Sequence, residues 1–471
     1  MINMNYFQFY EYKKYEFKNI GDLSIIDILK NLPKVENLEN YVTISKEYLK
    51  FKHYAGLLFT KDTIIEILPK IWGDEKKDIE KSRNNFILFF SYAFLKPEYF
   101  EKEAKWITEK KKYWNLLEFL IYFYSETLKR EIEKGLYKKY FRIEDENKYL
   151  KGKINLKKQI NKIDKSKFDI SFFNYDANNT LNNFFGYCTE LFLMRTKENE
   201  NKRNLFLISN ILQNEINRPY KYQFKDEIFN RLNERFEFPY DIAKLILNKK
   251  EPLIGIKTSS PKTMMYLFDM NKIFEKFIFN FLNRNKEKIF PDFKKETLIL
   301  KYQEEGGFLY YTDNDFNKKG PLRLLRPDII FEGKPIKISG EKKDKIKIIM
   351  DTKYKILKTL EIDKNDGDKE EEDIFKIGSQ DLYQIYTYAK SFNSKDNKEN
   401  INSENNILIF PIINSKSRVE VKGPYLFNKE GKEKLWIMGI DLSFSSEWNE
   451  WKEKLIESLN ENFSNIIFNK N

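Results

Sequence analysis

Apolar and polar positions alternate in four short runs near the start of the chain: "YFQFYEYKKYEF" (6–17), "YVTISKEYLKF" (41–51), "YAGLLFT" (54–60) and "TIIEILPKIW" (63–72). A period of two, rich in aromatic and β-branched residues, predicts strands. The period lengthens to that of a helix over 77–95, in "IEKSRNNFILFFSYAFL", and again over about 113–135, ending near Gly135. Alternation returns over 137–156. The basic, polar "KKQINKIDKSK" (157–167) reads as a linker. Residues 178–250 are predicted mostly helical, opening on the helix-start residues of "NNT" and interrupted at 217–227.

A further helix is predicted at about 266–284. Strands follow at about 307–312, 323–331, 346–355, 406–413 and 434–442, with helices near 377–391 and 446–461. An acidic insertion (361–373) and a polar, low-complexity one (391–406) interrupt this half, and no internal repeat is present. The helix–strand–strand–helix–strand order is an α/β plan. The expected organisation is a β-rich α+β domain over 1–163, then a segment over 164–471 that is helical first and carries an α/β core with a mixed sheet flanked by helices from about 266 onward.

Composition narrows the chemistry. The 471 residues, 41% hydrophobic and 16% aromatic, suffice for more than one packed core. The start lacks the basic-then-apolar plan of a signal peptide, and the longest apolar run, "FILFFSYAFL" (86–95), is far shorter than the roughly 18–20 residues that span a bilayer. A cytoplasmic protein is expected. One cysteine, Cys188, and one histidine, His53, exclude an intramolecular disulfide and a Cys/His zinc cluster. Acid–base or metal chemistry therefore falls on Asp, Glu and Lys. The net charge of +12 is compatible with a polyanionic partner but is spread along a lysine-rich chain. Gly152-Lys153, Gly333-Lys334 and Gly431-Lys432 all lack the remaining residues of a phosphate-cradling G-x-x-x-x-G-K-[ST] loop. No nucleotide is expected to bind this chain.

The second half carries one constellation. Asp328 leads into a strand in "LLRPDIIF", and Asp351 and Lys353 leave another in "KIKIIMDTKYK". A strand, a turn and a returning strand fit between them, so a hairpin can bring both carboxylates to one end of a sheet. Asp351 and Lys353, two apart, share a face. Two carboxylates are hard oxygen ligands suited to Mg²⁺, and a neighbouring lysine can orient water or stabilise charge on a phosphate. This is the P-D…[DE]-x-K arrangement of metal-dependent nucleases. Glu275, on the helix before it, is a third candidate ligand. Gln384, on the helix after it, is a candidate brace for the lysine. Arg326 and Lys355 are candidates for DNA backbone contact. A nuclease fold kept as a non-catalytic adaptor, and a stand-alone repair nuclease, are the alternatives.

"LRLLRPDIIF", "IIMDTKYK" and "DLYQIYTYA" closely resemble the McrC family, the nuclease subunits of modification-dependent McrBC-type restriction systems. "GLLFTKDTIIEILPKIW" (56–72), "YLKGKINLKKQI" (149–160) and "FDISFFNYDANNTLNNFFGYCTELF" (168–192) resemble further segments of that family, with an Ala-Asn pair after Asp176 in place of the usual acid and Gly186 expected to break the helix. The resemblance implies a Mg²⁺-dependent DNA endonuclease. It implies an AAA+ GTPase ring of the McrB type as partner, which recognises modified DNA, and an N-terminal half that docks on the ring and stimulates it. Lys70, Lys151 and Lys153 are candidates for that contact, and self-association within the complex is expected.

Overall fold

The computed structural model describes residues 5–16, 41–59, 63–72, 79–94, 97, 100, 114–216, 227–247, 264–312, 318–336, 345–357, 377–393, 401–402, 404–413, 417–427, 433–443 and 448–468. The acidic insertion, most of the polar one and the interruption at 217–226 lie outside them. Contacts divide the chain into two units: residues 1–113 with 255–471, and residues 114–254. The boundary expected at 163/164 falls inside the second unit.

The first unit begins with β1 (Asn5–Tyr10), β2 (Lys14–Glu16), β3 (Val42–Ile44), β4 (Tyr48–Phe51), β5 (Tyr54–Phe59) and β6 (Thr63–Leu68), then α1 (Ile79–Phe94). The run expected as one strand over 6–17 is two, because the chain bends at Tyr12, whose φ of 60° lies in the left-handed region. Phe9, Leu49, Phe51, Leu58, Ile65 and Ile67 form the core here.

In the second unit, α2 (Leu116–Glu133) precedes β7 (Lys139–Asn147), β8 (Lys153–Ile154), α3 (Leu156–Ile160), β9 (Phe168–Asp176), α4 (Thr180–Arg195), α5 (Asn199–Glu215) and α6 (Glu237–Leu247). The strands order as β7-β9-β8. Part of the expected linker is α3, whose first turn is capped by the Asn155 side chain. Asn179 caps α4 in the same way. Gly186 does not break α4: the helix runs through it, and the glycine is buried.

The chain returns to the first unit with β10 (Met264–Asp269) and α7 (Met270–Arg284). The helix expected from 266 starts late, because 264–269 pairs antiparallel with β5 and completes the sheet β1-β6-β5-β10. The N-terminal sheet thus needs a strand from far along the chain, so 1–163 is not self-contained.

The remainder is α8 (Lys286–Ile289), β11 (Ile299–Tyr302), β12 (Gly306–Thr312), β13 (Lys318–Leu325), β14 (Ile329–Gly333), β15 (Lys345–Thr352), α9 (Ser379–Asn393), β16 (Ile401–Asn402), β17 (Asn405–Ile412), β18 (Val419–Leu426), β19 (Lys434–Asp441) and α10 (Trp448–Phe468). The run expected over 323–331 breaks between β13 and β14 at Arg326-Pro327-Asp328, since proline cannot donate to a ladder. A mixed sheet orders as β11-β14-β15-β17-β19-β18, with β16 beside β15. The β15–β17 and β17–β19 pairs are parallel and the others on this path antiparallel. Parallel central strands buried on both faces read as continuous apolar runs, as in "KIKIIMD" and "ILIFPI". Ile385, Tyr388 and Phe392 of α9 pack with Ile330, Ile349 and Leu408 of the sheet. Elsewhere Phe331 stacks on Phe290, which also meets Phe463 of α10. Among the described residues no helix is long and apolar enough to cross a membrane.

Candidate active site

β14 and β15 pair antiparallel with Ile329 opposite Met350. Asp328, just before Ile329, and Asp351, just after Met350, therefore emerge at the same end of the hairpin. The spacing in the sequence needed only this register to bring them together.

Asp351 is 0% exposed. Its Oδ2 lies 2.5 Å from the Lys353 ammonium, and its Oδ1 receives no hydrogen bond. Burial first, and the charge of Asp328 second, push its carboxyl up to about 7, against the opposing pull of Lys353. Asp328 Oδ2 accepts from the Thr352 N–H (2.7 Å) and hydroxyl (2.6 Å). Burial raises the Asp328 carboxyl too, opposed by the Thr352 bonds and by Lys353.

Lys353 leaves the strand end with its N–H on the Ile409 carbonyl of β17 (2.8 Å). Its ammonium also donates to Gln384 Oε1 (2.8 Å), and Gln384 Nε2 donates to the Tyr388 hydroxyl one helical turn on (2.7 Å). Burial pulls the Lys353 ammonium down, but Asp351 and then Asp328 hold it above the usual lysine value.

Glu275 is buried on α7, and its Oε1 accepts from Gln303 Nε2 (2.6 Å). Burial and then Asp328 push its carboxyl up to about 7. Gln303 also donates its N–H to the Asp328 carbonyl (3.0 Å), from a φ of 47°. A non-glycine residue held there is strained, a feature that gathers at functional sites.

The structure thus brings Asp328, Asp351, Lys353 and Gln384 together, with Glu275 joined through Gln303. Sequence reasoning missed Thr352, Tyr388 and Gln303. Tyr388 was reachable from its spacing of four after Gln384, and Thr352 from its place inside "DTK". Nothing in the sequence signals Gln303. Three cations expected at partners are engaged: Arg326 with Glu305 (2.5 Å), Lys355 with Asp381 (2.8 Å), and Lys70 with the Tyr354 carbonyl (3.1 Å). Lys151 and Lys153 are exposed. His53 stacks on Tyr54, and its carbonyl accepts from the Met270 N–H.

Among the described residues no group of three or more His, Cys, Asp or Glu side chains is poised to hold a metal ion, so Glu275 does not complete a ready three-carboxylate set. Its oxygen is held by Gln303 instead. Mg²⁺, however, commonly uses only one or two carboxylates and keeps several waters. Two adjacent acids, one with a buried oxygen that has no hydrogen-bond donor, fit that requirement.

A family model described as "McrBC 5-methylcytosine restriction system component" matches residues 49–411. No curated protein sequence matches the chain significantly. Among solved structures, the half-complex of Thermococcus gammatolerans McrB AAA+ hexamers with bound McrC, refined from a tetradecameric assembly, contains a similar chain. It is 19% identical with a TM-score of 0.61, and the alignment covers 97% of this chain and 100% of that one. A second, the cryo-EM structure of the T. gammatolerans McrBC complex, aligns at 23% identity and a TM-score of 0.45 over 60% of this chain and 88% of that one. The family match spans well over half of the residues, and the chain belongs to the McrBC 5-methylcytosine restriction system component family.

Proposed function

We propose that this protein is the Mg²⁺-dependent DNA endonuclease subunit of its restriction system, with a PD-(D/E)xK core, and that it acts docked on an McrB-type AAA+ ring. The observation that carries the chemistry is the register that sets Asp328 beside Asp351 at one strand end, with Lys353 on Asp351 and Gln384 on Lys353. The partner is supported by family membership and by a structural neighbour that is McrC bound to McrB AAA+ hexamers.

In this reading Asp328 and Asp351 hold the cation. When bound, Mg²⁺ supplies Lewis acidity toward a phosphodiester oxygen and lowers the pKa of water. Lys353, freed from its close contact with Asp351, places a cation beside the attacking water or the scissile phosphate. Gln384 and Tyr388 hold the ammonium in line. Glu275 and Gln303 brace the Asp328 main chain.

The test is cleavage of modified and unmodified plasmid with Mg²⁺, with and without an McrB-type AAA+ protein and GTP or ATP. Cutting that needs partner and nucleotide and is lost in Asp351→Ala supports the reading. Cutting by the isolated chain moves it to a stand-alone nuclease. Stimulated NTP hydrolysis without cutting makes the chain an adaptor.

A further inference from the structure

The main chain just beyond Lys353 is fastened from an unexpected direction. The Lys355 N–H donates to the Lys353 carbonyl (2.8 Å), closing a three-residue turn around Tyr354. Tyr354 is buried, and both its ends are held by the N-terminal sheet. Its hydroxyl donates to Glu11 Oε1 (2.6 Å), at the bend between β1 and β2. Its carbonyl accepts from Lys70 Nζ (3.1 Å), just past β6. The Lys70 N–H donates to the same Glu11 oxygen (3.1 Å). The Lys70 ammonium lies over the rings of Tyr12 (4.1 Å) and Tyr354 (4.7 Å).

We propose that Glu11 and Lys70 are positioning residues for the nuclease centre: they clamp the Tyr354 turn and so fix where Lys353 meets Asp351 and Gln384. This rests on the nuclease reading above.

Three observations carry it. First, the Tyr354 carbonyl that Lys70 holds belongs to the same peptide as the Lys355 N–H, which bonds the Lys353 carbonyl, so displacing that peptide disturbs the main chain from which the Lys353 side chain springs. Second, the same turn reaches the other site elements. Lys355 Nζ donates to Asp381 Oδ2 (2.8 Å), which also accepts from the Gly378 N–H (3.2 Å), at the start of the helix that carries Gln384. On another side the Tyr354 ring meets Phe274 (6.0 Å between centroids), the residue before Glu275. Third, the clamp is energetically unfavourable as mere packing. Glu11 is 1% exposed and its Oε2 has no hydrogen bond. Burial pushes its carboxyl up to about 7 and pulls the Lys70 ammonium down to about 8. A buried carboxyl with one oxygen unpartnered costs free energy that apolar packing would avoid, and fixing the turn is the use assigned to it here. The clamp also explains why Lys70 is unavailable to a partner.

The test uses the full chain assembled with its AAA+ partner, comparing wild type, the double variant Glu11→Gln/Lys70→Met and the milder Tyr354→Phe. The double change avoids leaving one buried charge unpaired. Misplacing a catalytic group by about 1 Å costs about a hundredfold, so the double variant should lose about tenfold to a hundredfold in kcat with KM for DNA unchanged. A second readout needs no turnover: acylation of Lys353 by acetic anhydride, followed by mass spectrometry on the unassembled chain, should speed up as its contact with Asp351 loosens. Unchanged kcat together with unchanged Lys353 acylation in a folded double variant overturns the proposal. If the double variant does not fold, Tyr354→Phe decides by the same two readings. An Asp351→Asn control that still cuts overturns the nuclease reading itself. If that control is dead while the clamp variants cut normally, only the positioning proposal falls.

Discussion

Two of the acids buried in the sheets of the first unit, Glu66 and Asp351, are treated in opposite ways. Glu66, on β6, is 3% exposed and saturated: Arg83 Nε donates to both its oxygens (2.8 and 3.1 Å), Arg83 Nη2 to one of them (2.6 Å), and Gln8 Nε2 to the same one (2.9 Å). Asp351, on β15, is more deeply buried, yet one oxygen has no donor and the nearest acid is a like charge. A buried charge is tolerated when partners satisfy it, as for Glu66. A buried charge left short of partners while its neighbour repels it is the arrangement that a bound cation relieves. The contrast separates an acid that fastens a sheet from one with coordinating capacity to spare.

The strongest way to break the contrast is to exchange charge for amide. Asp351→Asn should lower cleavage about a thousandfold while leaving cation-free thermal stability unchanged or improved, since it removes a repelled charge. Single-turnover cleavage and a melting curve read the two effects, and a loss of stability comparable to that at Glu66 would erase the distinction. Arg83→Met should do the reverse: it strands Glu66 and costs about 3–5 kcal/mol of folding free energy, while the folded fraction keeps its cleavage chemistry. Denaturant unfolding checks the first part and activity per folded molecule the second.

A pH comparison sharpens it. The carboxyls of Asp351 and Glu275 are raised from 3.8 and 4.5 to about 7 in the folded state. Their contribution to stability is therefore fully present at acid pH and is lost as the pH climbs from those ordinary values through about 7. Mg²⁺ competes with protons for these oxygens. At a fixed concentration about a hundredfold above its Kd at pH 8, it should stabilise the fold by about 2–3 kcal/mol at pH 8 and by less at pH 6, and Asp351→Asn should abolish the shift. Equal shifts at both pH values would argue that the cation binds elsewhere. The smallest expected effect is that of Gln384→Ala. Loss of a supporting hydrogen bond costs about ten- to a hundredfold in activity, with Gln384→Glu or Gln384→Asn retaining part of it. Full activity in Gln384→Ala would leave Lys353 positioned by Asp351 and the main chain alone.

Much of this was legible in one dimension. The period of two in β4, the continuous apolar run of β15 and the helical period in α1, α7 and α9 follow from how strands and helices place their side chains, so those elements show in the apolar pattern. Asp328, Asp351, Lys353 and Gln384 were legible because each sits at a fixed offset from a strand end or on a helix face. The misses share one cause. Residues 266–269 carry a helix-compatible composition, and only pairing with β5, some two hundred positions earlier, makes them a strand. Lys70 looked like a surface charge in "LPKIW", and only the position of Tyr354, 284 residues on, turns it inward. Gln303 bears no mark except a backbone angle that the sequence does not display. The sequence by itself determined most of the elements, the acids and lysine of the candidate site, and the family. The tertiary structure alone decided which acid is left short of partners and which lysine is bound inward, because burial and hydrogen-bond satisfaction depend on neighbours distant along the chain.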